Sequence, residues 1–438
     1  MARLILFCQI FILERDMPTK NSKSEEAISL RPKEFDLHDY VLTLLKAGKN
    51  FRAYGGGYSK SLHSALFDSN NMIDMKEFIE DPILEIDSTN NSYGILTVSA
   101  GMALGDIGNF LKPYGLRLYG MPGSKSLSIG GTILCGAHNS TGYWNAMSDY
   151  VVDMLLIDGS GRIRLLTDPK LFVNYGLLGI VFRIRIRAFK AVNLEWKHSV
   201  VKNINEVKIT DSTYSLVFGP YSGKIVKTDI YLTAKKAYKS WKRMIWDLAL
   251  WPLKFAIGSK IEAFIADNIP SIGIFASELY IYEPDVVRDG LDYFESIPRS
   301  HVFTQEYAFK TSNLEIVYQR MMQLISEHRK RGTFVLRFWC RFQNASPYIN
   351  DLAFGHKTIL LEVALSDGQK NSHLLVHDIS QIFLEYGGKP HLGKTLLEPQ
   401  ALKNYDFSFL KKAMQEYDPN RIFQNAFTNE AFATDNKT

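Results

Sequence analysis

An α+β protein of two domains is what the chain predicts, on three observations. Strand and helix patterns alternate as far as residue 190 and are interrupted by two glycine-rich segments. Beyond that point the composition shifts to β-formers and a basic aromatic stretch. The last third then runs strand, helix, strand, strand, helix, an order that suits an antiparallel sheet with helices on one face. The expected division is an N-terminal extension over 1–34, a first domain over 35–190, a second over 191–388, and a segment over 389–438 that returns to the first domain's site. At 438 residues and roughly 150 residues per domain there is ample interior for a buried ligand.

Composition narrows the class. Hydrophobic residues make up 46% and charged residues 22% of the chain, and the 13% aromatic share excludes disorder and low complexity. A net charge of +5 is too mild to require a nucleic-acid partner, and none is expected. Cys8, Cys135 and Cys340 are scattered, without a disulfide framework or a zinc spacing, which points to a reducing compartment. A cytoplasmic or peripheral-membrane location is expected ahead of secretion. The apolar run Leu4–Leu13 is about ten residues where a bilayer crossing needs about 20, and no small-x-small cleavage site follows it.

In chain order, Phe35–Gly48 has helical apolar spacing with a glycine stop. Phe51–Tyr54 then runs as a strand into Gly55-Gly56-Gly57-Tyr58-Ser59, where missing Cβ atoms let backbone N–H groups converge on a ligand. Ile95–Gly101 reads as a buried strand and Leu104–Leu111 as a helix. The second glycine-rich segment spans Leu118–Gly142. It has an apolar centre, Ile129–Leu134, so it is both packed and rich in backbone groups that need partners, the pattern of a ligand-touching loop. Val151–Ile157 and Arg162–Leu166 form a hairpin around Asp158-Gly159, and Ile180–Arg187 alternates basic and apolar residues as a half-buried strand does.

The second domain opens with β-rich stretches, Ala188–Phe218 and Thr228–Leu232. Lys235–Phe264 reads as helical, with Trp241, Trp246 and Trp251 among lysines; packing within the domain is the first reading, and contact with a membrane surface or a partner through 235–264 the second. Strands are expected at Ala276–Tyr282, Phe334–Phe342 and Thr358–Ala364, and helices at Val286–Ile297, Leu314–His328 and Leu374–Tyr386. His373 and His377 stand four apart on the last helix, but without a third ligand no metal is expected.

Taken together, Gly55–Ser59, Val98–Leu104, Pro122–Gly142, Asp153–Gly159 and Gly176–Val181 resemble the FAD-binding half of the vanillyl-alcohol oxidase superfamily, also called the PCMH type. Pro390-His391-Leu392-Gly393-Lys394, Tyr405 and Asp418–Asn425 are similar to the closing motif of its sugar-1,4-lactone and alditol oxidase branch. The likeness covers roughly residues 35–190 and 385–426. There is no G-x-G-x-x-G after a first strand and no G-x-x-x-x-G-K-[ST], so Rossmann and P-loop readings are disfavoured.

The resemblance implies an FAD whose pyrophosphate is held by Gly55, Gly56, Gly57, Tyr58 and Ser59 and by Pro122, Gly123, Ser124, Ser126, Ile129, Gly130 and Gly131. It places Cys135, Gly136, His138 and Asn139 near the flavin ring, Gly179, Ile180 and Val181 near the adenine, and Asn425 in the closing segment. It further implies oxidation of a CH–OH carbon of a sugar lactone, alditol or related sugar by hydride transfer to flavin N5. Dioxygen or another electron acceptor would reoxidise the flavin. Lys394 is expected to orient the substrate or stabilise negative charge, with His138, His391 and Lys394 as candidate bases and Arg337 as a further site cation.

Two departures bear on this. The histidine that binds flavin covalently in the lactone-oxidase branch is Tyr58 here, which implies non-covalent FAD. The Glu-x-Arg pair of that branch has no glutamate on the matching strand Phe334–Arg341, so the carboxylate that orients a polyol is expected to be missing. A second branch, the decaprenylphosphoryl-ribose oxidases, also holds FAD without a covalent bond, and Gly131–His138, Val335–Phe338 and Glu385–Gly388 are similar to it. There Arg337 stands for a lysine, and the substrate would be a lipid-linked sugar. A catalytically idle scaffold on the same fold is the third alternative.

Overall fold

The computed structural model describes residues 29–57, 71–86, 93–139, 144, 146–249, 284–289, 302–346, 351–366, 371–394, 399–425 and 428–429. The expected strand at 276–282 lies outside these residues, as do Tyr58 and Ser59.

Helix α1 (Pro32–Lys46) starts on a proline that needs no hydrogen-bond partner for its missing N–H. The backbone N–H of Arg31 donates to Glu34 at 2.9 Å. The chain leaves the helix through Gly48 at φ +64°, a left-handed turn that suits glycine. Buried Glu34 also accepts from Arg183, which ties α1 to the sheet behind it. Strands β1 (Arg52–Tyr54) and β2 (Met72–Asp74) pair in parallel beside it.

The first large sheet is built from β3 (Ile83–Ile86), β4 (Tyr93–Ser99), β5 (Leu116–Arg117), β6 (Val151–Ile157), β7 (Ile163–Leu166) and β8 (Ile180–Lys190). Its order is β3-β4-β8-β6-β7 with β5 also on β8, and every described pairing is antiparallel. The expected hairpin is β6–β7. Helix α2 (Leu104–Leu111) buries Leu104, Ile107 and Leu111, the one-face spacing of a helix against a core. The apolar centre of the second glycine-rich segment is a short helix, α3 (Ile129–Leu134), capped by Ser128 Oγ, which accepts from the Gly131 N–H at 3.3 Å.

The second sheet has nine strands. They are β9 (Asn193–Val201), β10 (Thr213–Phe218), β11 (Ile225–Thr233), β12 (Tyr238–Lys239), β13 (Val286–Arg288), β14 (Val302–Lys310), β15 (Val335–Gln343), β16 (Thr358–Ser366) and β17 (Lys389–Pro390). They lie in the order β12-β13-β9-β11-β10-β15-β16-β14-β17. Helix α4 (Trp241–Ala249) follows β12, and α7 (Ser408–Tyr417) closes against the first core. Helices α5 (Leu314–Lys330) and α6 (Ser372–Glu385) cover one face of the sheet. Val317, Met321 and Ile325 of α5 and Leu375, Ile379 and Phe383 of α6 pack on Phe309, Phe338, Phe342, Leu361 and Val363. Because side chains alternate along a strand, burying 307, 309, 338, 340, 342, 361 and 363 under the helices turns 304, 306, 339, 341 and 362 to the opposite face.

Two sequence expectations are corrected. Val286–Arg288 is a strand, not the start of a helix: Val286 and Val287 are β-branched and buried, and they fill a gap between β12 and β9. Of the tryptophan-bearing stretch, Trp241, Met244, Ile245 and Leu248 on α4 are exposed, against the packing expected there, while the side chain of Trp246 and residues 250–264 lie outside the described residues.

Candidate active site

The polar face of the second sheet looks onto the glycine-rich segments of the first domain, and the two enclose a cleft of about 390 Å³. One end is made of backbone. Gly55, Gly56, Gly57, Pro122, Gly123, Ser124, Gly130, Gly131, Cys135, Asn139, Gly179 and Val181, all expected from the sequence to bind the cofactor, line it. Ser126, Ile129, Gly136, Ile180 and Asn425 do not reach the wall. Ile129 and Ile180 are core residues, at 0% and 1% exposure. Asn425 is engaged in its own turn with Thr428.

Glycine is required at this end by space. A Cβ on Gly55 would stand 1.9 Å from Ser128 Oγ, and one on Gly179, at φ +155°, would stand 2.4 Å from the Ile157 carbonyl oxygen. Ser124 Oγ is buried on the wall with no hydrogen-bond partner among the described residues, a polar atom waiting for a ligand. Arg52, which sequence reasoning missed, is the cation of this end among the described lining residues. It is 3% exposed and donates to the carbonyls of Phe423, at 3.1 Å, and Tyr175. Burial lowers its pKa to about 10 against the opposing pull of Cys135 and Asp418, so it stays charged. Burial pushes the Cys135 thiol up to about 12, which leaves it a thiol rather than a nucleophile.

The other end is made of side chains. Glu306 on β14 pairs directly across from Glu362 on β16, which in turn lies opposite Trp339 on β15. Two carboxylates facing each other across an antiparallel pair repel, so this register stands only because cations sit between them. Arg341 Nη2 donates to Glu306 Oε1 and, at 3.2 Å, to Glu362 Oε2. Lys394 Nζ is 3.5 Å from Glu362 Oε2 and 4.0 Å from Glu306 Oε2. Burial would raise the Glu306 pKa, but Arg341, with His138 and Lys394, outweighs it and holds the carboxyl well below the usual range. For Arg341 burial would do the reverse, and Glu306 and Glu362 overcome it to raise its pKa. The expectation of a missing carboxylate is therefore corrected. No glutamate precedes the arginine on its own strand, yet β16 beside it supplies Glu362 and β14, the next strand over, supplies Glu306.

The site cation of β15 is Arg341. The backbone of Arg337 pairs with Ala364 beside a register shift, and its side chain lies outside the described residues. Lys394, His138 and His391 all line the cleft.

The two histidines differ in their partners. His391 Nδ1 accepts the Gly393 N–H at 3.0 Å, and burial pushes the ring down to about 3, so its single proton is on Nε2 and it is a donor, not a base. His138 stands between two acceptors, with Nδ1 3.2 Å from the Asn139 carbonyl and Nε2 3.4 Å from Glu306 Oε1. Ligand atoms of His138, Glu306 and His391 lie within 4.8 Å of one another, close enough for a metal ion. Arg341 and Lys394 already balance the negative charge there, so the donor set does not favour a divalent ion.

These features define the class. The fold is shared with a solvent-stable cholesterol oxidase (TM-score 0.69, 14% identity, 90% of this chain and 93% of that one). It is also similar to xylooligosaccharide oxidase from Myceliophthora thermophila (TM-score 0.60, 13% identity, 89% and 88%). Residues 33–167 match the FAD binding domain, so FAD is the cofactor, and residues 185–431 match the D-arabinono-1,4-lactone oxidase family, to which the chain belongs.

Relatives agree at low identity. D-arabinono-1,4-lactone oxidase of Saccharomyces cerevisiae is 24% identical over 246 residues, 53% of this chain and 44% of that protein. The mitochondrial L-galactono-1,4-lactone dehydrogenase of Arabidopsis thaliana is 26% identical over 201 residues, 44% of this chain and 30% of that protein. The chain thus spans less than half the length of these relatives. The glycine cradle, the unpartnered Ser124 hydroxyl and Arg52 fit a dinucleotide pyrophosphate, an anion that backbone N–H groups and one buried cation can neutralise. Among the described residues no helix is long and apolar enough to cross a membrane.

Proposed function

We propose that the chain is an FAD-dependent oxidoreductase that oxidises a CH–OH carbon of a sugar lactone, alditol or related sugar, and that it holds FAD non-covalently because Tyr58 replaces the linking histidine. The observation that carries this reading is the charged end itself: two carboxylates, a guanidinium and an ammonium converge on the face that looks onto the flavin cradle. Such a set can accept hydrogen bonds from several hydroxyls and donate to a ring or carbonyl oxygen at once, which is how a polyhydroxylated substrate is fixed. Bound FAD supplies the hydride acceptor.

The chain's own residues do the rest. The His138–Glu306 pair, 3.4 Å apart, takes the proton from the substrate hydroxyl. His391 Nε2–H and Lys394 Nζ donate to the oxygen that becomes a carbonyl. Arg341 bridges Glu306 and Glu362. Membership of the lactone oxidase family favours this substrate class over the lipid-linked sugar and over an idle scaffold.

Three measurements test the reading. The flavin of the purified protein should pass wholly into the supernatant on acid precipitation; flavin left in the pellet would show a covalent bond. A turnover panel of sugar lactones, alditols and a polyprenyl-phosphate sugar should respond to the first two classes. In Lys394→Ala, kcat should fall by about 10²-fold with flavin content unchanged. Full turnover and unchanged KM in that variant would remove the role given to Lys394.

A further inference from the structure

Away from the cleft, helix α4 carries a surface the reaction does not use, and we propose that it docks the protein on an anionic lipid bilayer. Trp241, Met244, Ile245 and Leu248 recur at three- and four-residue intervals, so they share one face of the helix. They are exposed at 68%, 62%, 58% and 74%, and Tyr238 on the preceding edge strand extends the patch at 53%. A helix that belongs to a soluble core turns such a face inward. Among the side chains of α4 that are described, the buried one is Arg243, at 5% exposure, and the apolar face is turned to the outside.

Charge selects the occupant. Residues 235–248 carry Lys235, Lys236, Lys239, Lys242 and Arg243 against the single acid Asp247. Lys236, Lys239 and Lys242 are exposed around the patch, and Lys242 Nζ lies 5.9 Å from the Trp241 ring centroid. Lysine is depleted at the centre of protein interfaces, whereas tryptophan and aliphatic residues flanked by lysines are the pattern of a helix lying in a lipid interface. There the apolar side chains enter the acyl boundary and the ammonium groups reach anionic headgroups along their apolar stems. The patch follows β12, the outermost strand at one edge of the nine-stranded sheet, while Glu306, Trp339, Arg341 and Glu362 lie on strands toward the other edge. Substitutions on α4 therefore leave the cleft intact.

The test is co-sedimentation of the full-length flavoprotein with vesicles of phosphatidylcholine alone and of phosphatidylcholine with about one-third phosphatidylserine. Binding to the anionic vesicles, weakened by salt, is expected, together with at least about tenfold weaker partitioning of Ile245→Glu and Leu248→Glu at unchanged flavin content. Lys239→Glu combined with Lys242→Glu should lose the preference for anionic lipid. Light scattering on the same proteins covers the other occupants. A dimer that Leu248→Glu dissociates, with no vesicle binding, would overturn the proposal in favour of a protein interface. A monomer that binds neither kind of vesicle would overturn it in favour of cover by the chain itself.

Discussion

The two ends of the cleft are built by opposite means. At the flavin end the work falls to glycine backbone and one buried arginine, on segments that are contiguous in sequence. At the substrate end it falls to side chains from three neighbouring strands, Glu306, Arg341 and Glu362, brought together only by sheet register. The first end binds a group of fixed shape, where missing Cβ atoms matter most. The second must hold hydroxyls and move a proton, where balanced charge matters most.

The largest expected effect comes from unbalancing the charged end. Glu306→Gln leaves Arg341 with one carboxylate and removes the one that His138 Nε2 faces, and kcat/KM should fall by at least about 10²-fold. Removing one partner of a buried ion pair costs roughly 3–5 kcal/mol, so the melting temperature should drop as well. Flavin content should stay near that of the parent. Loss of flavin instead would mean that the two ends are not separable.

The converse change is Gly55→Ala. Its methyl would displace Ser128 from the cap of α3, and FAD affinity should fall by about tenfold or more, with roughly 1 kcal/mol of stability lost with the cap. Titration of the apoprotein with FAD measures it. Unchanged affinity would show that the loop can yield and that glycine is not required there.

Stability against pH should sharpen the contrast, because each end carries one titrating group of opposite sense. His391 has a folded pKa of about 3, below the 6.5 of a free ring. Its contribution is present above about 6.5 and is lost as pH falls toward 3, because only the unfolded chain takes up the proton; the loss is roughly 2–4 kcal/mol. Asp418 supports the turn that carries Arg52's acceptor Phe423, and burial raises it from 3.8 to about 6. Its contribution is present below about 4 and is lost as pH rises through 6, on the order of 2 kcal/mol. Urea melts from pH 3 to 7 should show an acid loss that His391→Gln flattens and a smaller opposing loss that Asp418→Asn removes. Identical profiles for parent and variants would refute both assignments.

How legible each end is in the sequence follows from the same difference. The flavin end was readable because Gly55–Gly57 and Pro122–Gly131 are consecutive and glycine is rarely clustered without a backbone reason. Arg52 escaped notice beside them because a single arginine on a strand carries no signal of its own burial. At the other end Lys394 and His391 were readable within one short motif. Glu306, Arg341 and Glu362 were not, since pairing 306 with 362 is a long-range register that no local pattern encodes. The search for a glutamate on the arginine's own strand looked along the chain, when the carboxylates lay across the sheet. One local signal was available: Glu362 interrupts the apolar run of β16, whereas Glu306 follows Thr304 and Gln305 and stands out less. A helix in the basic aromatic stretch was readable, and α4 is part of it, but the burial of Arg243 and the exposure of Trp241 were not.

The central claim is that the charged end delivers a sugar CH–OH to the flavin held at the glycine end. Anaerobic mixing of the purified protein with D-arabinono-1,4-lactone and with L-galactono-1,4-lactone, followed by flavin absorbance, tests it directly. The account predicts bleaching by at least one lactone in the parent, slowed by about 10²-fold in Glu306→Gln at equal flavin content. Flavin that neither lactone nor any alditol bleaches, or equal rates in parent and variant, would contradict it.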